Sequence, residues 1–211
     1  MLPERVTSHP VLLRPFTPAD ALRVQALLAE AEVAEPTASI PQPYPPGAAA
    51  AWIASHDVDR ERGAQYTYAV ASADGATLIG AIALRPLADI HENIGYWIGR
   101  AYWGRGYATA ATMAITALAF GYLDCETLAA SHLERNPASG RVLEKCGFTP
   151  LRTVRREHRG RIEAFRVHGI TRDAWELRIG GSPGVEMPAE DRRRNGRNRR
   201  KRSPPPLGSR G

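Results

Sequence analysis

Apolar positions change their spacing along this chain, and each change marks an element. The run "VLLRPF" (11–16) is short and continuously apolar and predicts a strand. In the "TPAD" that follows, Thr17 suits a helix N-cap and Pro18 the first helical position. Val24, Leu27, Leu28 and Ala31 then recur at helical spacing. The proline-rich stretch 36–46 ends that helix and predicts a loop, and a second helix is expected from about Ala48 to Val58. "YTYAVASADGATLIGAIALRP" (66–86) reads as two strands folded back at Asp74-Gly75, a hairpin signal. "NIGYWIG" (93–99) is a further strand.

Beyond it the period is helical again, with Ala111, Ile115, Leu118 and Tyr122 on one face. "TLAASH" (127–132) predicts a strand. "NPASGRVLEKCGF" (136–148) predicts a short helix, with Pro137 in its first turn and Gly147 at its stop. Two last strands, 148–157 and 163–171, flank "HRGR". No internal repeat is found. The order β-α-α-β-β-β-α-β-α-β-β predicts a mixed α/β layer structure.

The apolar fraction of 43% suffices for a packed core, while no run nears the roughly 18 apolar residues of a membrane helix. The N-terminus lacks the apolar centre of a signal peptide, and Cys125 and Cys146 are too few for a disulfide framework or zinc site. A cytoplasmic protein with two reduced thiols is expected. The formal charge of +6 is uneven. Residues 181–211 hold nine of the 28 basic and three of the 22 acidic residues, so residues 1–180 carry 19 of each. That arginine- and proline-rich tail has too few apolar residues to offset its ordering entropy. It reads either as a solubilising extension or as a nucleic-acid or ribosome contact. Three regions are therefore expected: a flexible N-terminus (1–9), one folded domain (10–180) and a disordered basic tail (181–211).

The most specific chemistry lies in "YWGRGYATAAT" (102–112). Gly104 and Gly106 flank Arg105 between a predicted strand and a predicted helix. Glycines there let successive backbone N–H groups face outward, and the helix N-terminus adds partial positive charge. Such a loop suits a phosphate. It is neither the dinucleotide fingerprint nor a P-loop.

In its context this loop carries a resemblance. Strand "IGYWIG", loop "RAYWGRGYA", a helix, a strand and "NPASGRVLEKCGF" together resemble the GNAT superfamily of acetyl-CoA-dependent N-acetyltransferases. "LLRPFTPAD" and "GITRDAWE" (169–176) look like the branch typified by the RimJ/RimL ribosomal-protein N-terminal acetyltransferases. The resemblance spans roughly residues 10 to 178. It implies an α/β (α+β mixed) fold whose mostly antiparallel sheet is splayed at the cofactor site, with flanking helices. It implies acetyl-CoA as cofactor, CoA as product, and no metal.

The resemblance also implies residue roles. The family loop [Arg/Gln]-x-x-Gly-x-[Gly/Ala] matches at Trp103, Gly104, Arg105, Gly106, Tyr107 and Ala108, with Trp103 where Arg or Gln is usual. Arg105, Gly106, Ala108 and Thr109 are assigned to the pyrophosphate. Trp97 and Ile98 lie on the strand whose free backbone groups would bind the pantetheine arm, and Asn136 matches an asparagine at that arm. Ser139 falls where relatives place a serine near the coenzyme sulfur. It reads either as the acid that protonates the leaving thiolate or as a helix-surface hydroxyl. The tyrosine that many relatives carry seven residues after the asparagine is Leu143 here, and a glutamate common in relatives is Ala129. Glu92 is then the candidate base, against the reading of a solvated loop carboxylate, with His91 and His132 behind it. Trp52, Tyr96 and Trp103 read as pocket lining or as core.

The reaction needs a neutral amine. An α-amino group, pKa near 7.7–8.0, is neutral in roughly one molecule in ten at pH 7, and a lysine amine in roughly one in 2,500. A weak base therefore leans toward N-terminal or other low-pKa amines. Catalysis is expected to rest mostly on positioning and on backbone N–H groups at the developing oxyanion. The acceptor is expected to be a protein N-terminus or a small molecule such as an antibiotic or polyamine, taken up by a monomer or homodimer with no membrane partner. A catalytically silent fold that serves as a binding module is the reading from another class. The loops 36–47 and 157–163 are expected to choose the acceptor.

Overall fold

The computed structural model describes residues 2–37, 40–85, 94–123 and 125–179. The eight strands among the described residues form two antiparallel sheets. The larger has the order β1 (Val6–Ser8), β2 (Val11–Arg14), β3 (Tyr66–Ser72), β4 (Leu78–Leu84) and β5 (Ile94–Ile98). In the smaller, β8 (Arg161–Thr171) lies between β6 (Thr127–Leu133) and β7 (Thr149–His158). The described helices are α1 (Ala21–Leu28), α2 (Ala31–Ala34), α3 (Ala48–Glu61), α4 (Tyr107–Tyr122), α5 (Pro137–Lys145) and α6 (Arg172–Ile179). β5 and β6 are neighbours, yet no ladder hydrogen bond joins them, so the two sheets part along this seam.

The larger sheet is covered on both faces, which explains its almost continuous apolar strands. On one face Leu13, Tyr68, Ile82, Ile94 and Ile98 pack against Ala111, Ile115 and Leu118 of α4. On the other, Ala69, Leu78, Ala81 and Trp97 meet Val24 and Leu27 of α1 and Ile53 of α3. The amphipathic reading of α4 understates its burial. Ala110, Thr112, Ala114, Thr116, Ala119 and Phe120 are buried as well, because α5 packs beside α4 and Trp175 of α6 reaches Phe120.

The predicted turn at Asp74-Gly75 is present, with Gly75 at φ 77°. Thr17 and Pro18 open a single 3-10 turn, Pro18–Asp20, that leads into α1. There the Asp20 carboxylate accepts from the Thr17 backbone N–H at 2.8 Å and from Arg14 at 2.8 Å through each oxygen. Three segments differ from the expectations. The lead-in expected to be flexible holds β1, which pairs with β2; Leu2 and Val6 are buried, and the Tyr68 hydroxyl donates to the Pro3 carbonyl at 2.7 Å. The proline-rich region is preceded by the single-turn α2. Residues Arg172–Ile179, to which the sequence pattern assigned no element, form the helix α6. Among the described residues no helix is long and apolar enough to cross a membrane. The basic tail lies outside the described residues.

Candidate active site

The site is built where β5, β6 and the N-termini of α4 and α5 meet. Leaving β5, the chain makes a 3-10 turn (Arg100–Tyr102) and then the glycine loop. Gly104 and Gly106 have φ 74° and 81°, a left-handed conformation that favours glycine. A Cβ on either residue would find no atom within 4 Å, so the space before the loop is open. The first intrahelical bond of α4 runs from Ala110 N–H to Gly106 O, 3.0 Å. The N–H groups of Tyr107, Ala108 and Thr109 precede it and have no intrahelical acceptor. Arg105 is exposed and has no partner among the described residues. Free N–H donors, a helix N-terminus, open space and a free cation fit a pyrophosphate.

The seam supplies the second component. Gly99 N–H donates to Ile79 O at 2.9 Å, and Gly80 faces Ile98 in the ladder. Hydrogen-bonded pairs alternate in an antiparallel ladder. Trp97 and Gly95 therefore turn their backbone groups to β4, while Ile98, Tyr96 and Ile94 turn theirs to the seam. This corrects the sequence reading of Trp97. Its backbone is used by the sheet, and its side chain is buried against the α1–α3 layer. The Ile98 carbonyl does face the seam, but it accepts the Trp103 indole N–H at 2.6 Å. Trp103 thus braces the start of the loop, although its ring is half exposed.

Asn136 caps α5: its side-chain oxygen accepts from Ser139 N–H at 3.4 Å. Ser139, in the first turn of α5, has its Oγ 2.8 Å from the Tyr96 hydroxyl on β5. Burial raises the Tyr96 pKa far above that of an ordinary phenol, against the lowering effect of the Ser139 bond. Cys146, at the far end of α5, is fully buried and donates to the Thr109 carbonyl at 3.5 Å. Burial pushes its thiol up to about 12, so it stays protonated and inert.

The expected base positions fare unevenly. Glu92 and His91 lie outside the described residues. His132 lies under α5, its ring 5.2 Å from that of His168. Its Nδ1 is 2.8 Å from the Leu133 carbonyl, which only accepts, so Nδ1 carries the proton. Nε2 is sealed from solvent and has no hydrogen-bond partner among the described residues, and a Cβ on Gly140 would come within 2.7 Å of it. An incoming amine has no path to it. Trp52 is partly buried beside the core of the α1–α3 layer, where it packs edge-on against Phe16 at 5.1 Å and His56 at 4.5 Å.

A group that sequence spacing did not bring together lies just past the same C-terminal end of β6, beside Asn136. A cavity of about 650 Å³ is lined by Glu35, Arg135, His158, Arg159, Arg161, Ile162 and Glu163. Arg135 pairs with Glu163 at 2.7 Å and with Glu35. Hydrogen bonding from Arg135 holds both carboxyls below the usual range. His158 Nε2 lies 2.9 Å from the Glu35 carbonyl. Glu35, His158 and Glu163 present ligand atoms within 4.8 Å of one another, but the Arg135 guanidinium already supplies the cation there. The partners stand 28 to 123 residues apart, and no sequence signal joins them.

The acetyltransferase (GNAT) domain model matches residues 11–149. The chain belongs to the GNAT acetyltransferase family. It is 33% identical over 122 residues to "Probable N-acetyltransferase YjcK" of Bacillus subtilis (strain 168), covering 56% of this chain and 64% of that protein. The chain thus spans under two thirds of that relative's length. Mycobacterium smegmatis RimJ in complex with CoA-disulfide superposes with a TM-score of 0.68 at 19% identity, over 87% of this chain and 95% of that one. A chimera of Vibrio cholerae spermidine N-acetyltransferase SpeG and hSSAT gives 0.64 at 19%, over 79% and 98%. At these identities the two structures establish the shared fold.

Proposed function

We propose that this protein transfers an acetyl group from acetyl-CoA directly to a primary amine, and that the amine is a protein N-terminus. Acetyl-CoA supplies an activated acyl thioester. The observation that carries the reading is the loop 103–109: outward N–H groups at the start of α4 face open space beside the parted sheets. In this reading Arg105, Gly106, Ala108 and Thr109 hold the pyrophosphate, and Gly104 and Tyr107 complete the loop. Ile98 and Asn136 flank the pantetheine arm. The Ser139 hydroxyl donates to the sulfur as it leaves. Glu92 takes the amine proton, and Glu92→Gln is then expected to abolish the acidic limb of the pH–rate profile.

The acceptor is assigned to the cavity around Glu35, Arg135 and His158, between the loop after α2 and the β7–β8 turn. Ala129 on β6 provides no carboxylate where relatives carry one. An amine with a pKa near 7.7–8.0 needs the least help from a base. A small polycationic amine is the second reading, for which Glu35 and Glu163 would have to exchange Arg135 for the substrate's cations.

The deciding experiment is a panel of acceptors, N-terminal peptides against polyamines and aminoglycosides, followed by CoA release. Turnover on peptides and none on polyamines is expected; the reverse selects the second reading. Titration with acetyl-CoA and CoA separates an enzyme from a non-binder, and absence of turnover with every amine marks a silent binding module. The basic tail enters only as a proposed nucleic-acid contact. Such binding should weaken steeply with salt and vanish on truncation at residue 180.

A further inference from the structure

We propose that Tyr96 is a positioning residue for the acetyl transfer: it fixes the Ser139 hydroxyl so that the serine hydrogen points at the departing sulfur. The inference rests on the proposed role of Ser139 and adds a residue to it.

The two hydroxyls come from different sheet and helix elements that meet only at the seam. Tyr96 is on β5, at a position whose backbone and side chain both avoid the α1–α3 layer, and its ring packs with the α4 side of the core. Its hydroxyl approaches Ser139 Oγ at 2.8 Å and the Ser139 carbonyl at 3.4 Å. Among the described residues the Tyr96 oxygen makes no other hydrogen bond. Ser139 is in turn held through its backbone by the Asn136 cap, at 3.2 Å to the carbonyl and 3.4 Å to the side chain.

Chemistry decides the direction of the bond. A phenol is far more acidic than an aliphatic alcohol, so the phenol is the better donor and the serine oxygen the better acceptor. With Tyr96 donating, Ser139 keeps its own hydrogen for a third atom. The serine carbonyl competes for the same phenol hydrogen only at longer range, so the pair has one preferred arrangement. Burial also keeps the phenol protonated, so the donor does not switch off in the physiological range. A donated hydrogen bond polarises the serine O–H and strengthens the bond it makes in turn.

The balance is simple. The amine nitrogen forms a bond to the acetyl carbon and the carbon–sulfur bond breaks. The amine proton passes to Glu92 and the sulfur takes the Ser139 proton; water returns a proton to Ser139 as Glu92 releases its own to solvent, so both hydroxyls end as they began. No further reagent is consumed. Leu143, where many relatives carry a tyrosine, is fully buried and offers no hydroxyl. The phenol at this seam therefore comes from the strand instead of the helix.

The test is a double-mutant cycle on the full chain with acetyl-CoA and the best acceptor from the panel. Tyr96→Phe keeps the ring and removes the hydroxyl. It is expected to lower kcat by about three- to tenfold, the span of one neutral hydrogen bond, with acetyl-CoA KM and the thermal transition unchanged. Ser139→Ala lowers kcat more, and adding Tyr96→Phe to it costs nothing further. Ser139→Thr, which keeps a hydroxyl, retains the sensitivity to Tyr96→Phe. The proposal fails if Tyr96→Phe has wild-type kcat, or if it lowers kcat equally with and without Ser139, since the tyrosine then acts independently. Wild-type kcat in Ser139→Ala removes the serine role itself and is read directly from that single variant. If Tyr96→Phe does not fold, 3-fluorotyrosine at position 96 keeps the contact with a stronger donor. Its kcat is expected to hold or rise, and a fall overturns the proposal.

Discussion

Arg159 Nη2 donates to the Ile40 carbonyl at 2.7 Å, which ties the turn of the β7–β8 hairpin to the loop after α2. The same guanidinium reaches the Ala34 carbonyl at 3.0 Å and the Glu35 carbonyl at 3.2 Å. Arg159 sits at φ 51°, a left-handed conformation in which glycine is at home. Arg159→Gly therefore removes the clamp without straining the backbone. With the acceptor in the adjoining cavity, acceptor KM is expected to rise about tenfold, equivalent to about 1.4 kcal/mol. Acetyl-CoA KM should stay unchanged, because among the described residues Arg159 bonds only to the Ala34, Glu35 and Ile40 carbonyls and none of the glycine loop. Steady-state kinetics with each substrate varied in turn measures both; equal rises in the two constants would contradict the assignment.

The glycine loop has its own test. At Gly106, φ 81° with open space before it, valine adds a β-branched side chain where the pyrophosphate is proposed to lie. The variant also forces a conformation that β-branched residues avoid. Acetyl-CoA affinity is expected to fall at least about tenfold, with the remainder of the fold retained. Gly106→Ala, with the same backbone demand and less bulk, separates strain from obstruction. Calorimetric titration of both variants reads the difference, and wild-type affinity in Gly106→Val would exclude the loop as the phosphate site.

How much of this was legible in the sequence follows from what each signal records. Asp74-Gly75, Pro137 and Gly147 announced their turns and caps because those conformations demand particular residues. Gly104 and Gly106 announced the loop for the same reason. The three-residue β1 was too short to show a period. α6 was missed because among its described side chains Trp175 alone is buried. The deeper loss concerns pairs. Periodicity reports which side of an element is buried but not what it meets. Tyr96 and Ser139 stand 43 residues apart, and Arg135 and Glu35 stand 100 apart. Trp97 was misread because neighbouring strand residues look alike in sequence, although they turn their backbones to opposite edges.

Asp20 links β2 to α1 and sets a prediction for acid stability. Desolvation pushes its carboxyl up, but hydrogen bonds from Arg14 and Thr17 outweigh it, and the folded pKa lies below the ordinary value. The unfolded chain thus takes up the proton first, near pH 3.9. The stabilisation is complete above that pH and is lost as pH falls through the folded value. Asp20→Ala leaves the mostly buried Arg14 guanidinium without its carboxylate. A loss of about 3 kcal/mol is expected, a drop in Tm on the order of 10 °C. Thermal melts at pH 7 test the magnitude; at pH 3 and below the gap between wild type and variant should narrow.

His56 sets a second pH dependence, in a higher window. Its ring is buried between Phe16 and Trp52, centroids 5.2 and 4.5 Å away, and neither nitrogen has a hydrogen-bond partner among the described residues. Desolvation lowers its pKa, more than nearby Asp59 and Asp57 raise it. The folded state therefore keeps His56 neutral where the unfolded chain, near pKa 6.5, already takes a proton. The unfolded state binds more protons below that pH, so stability is full above about 6.5 and falls as the pH drops. His168, buried and lowered by desolvation and by His132, adds to the same slope. His56→Phe keeps an aromatic ring in an aromatic pocket and removes one of the two titrations. The decline of Tm from pH 7.5 to 5.5 should become shallower in the variant without disappearing. An unchanged slope would assign the acid sensitivity to other groups and place His56 among exposed, freely titrating histidines, contrary to its packing.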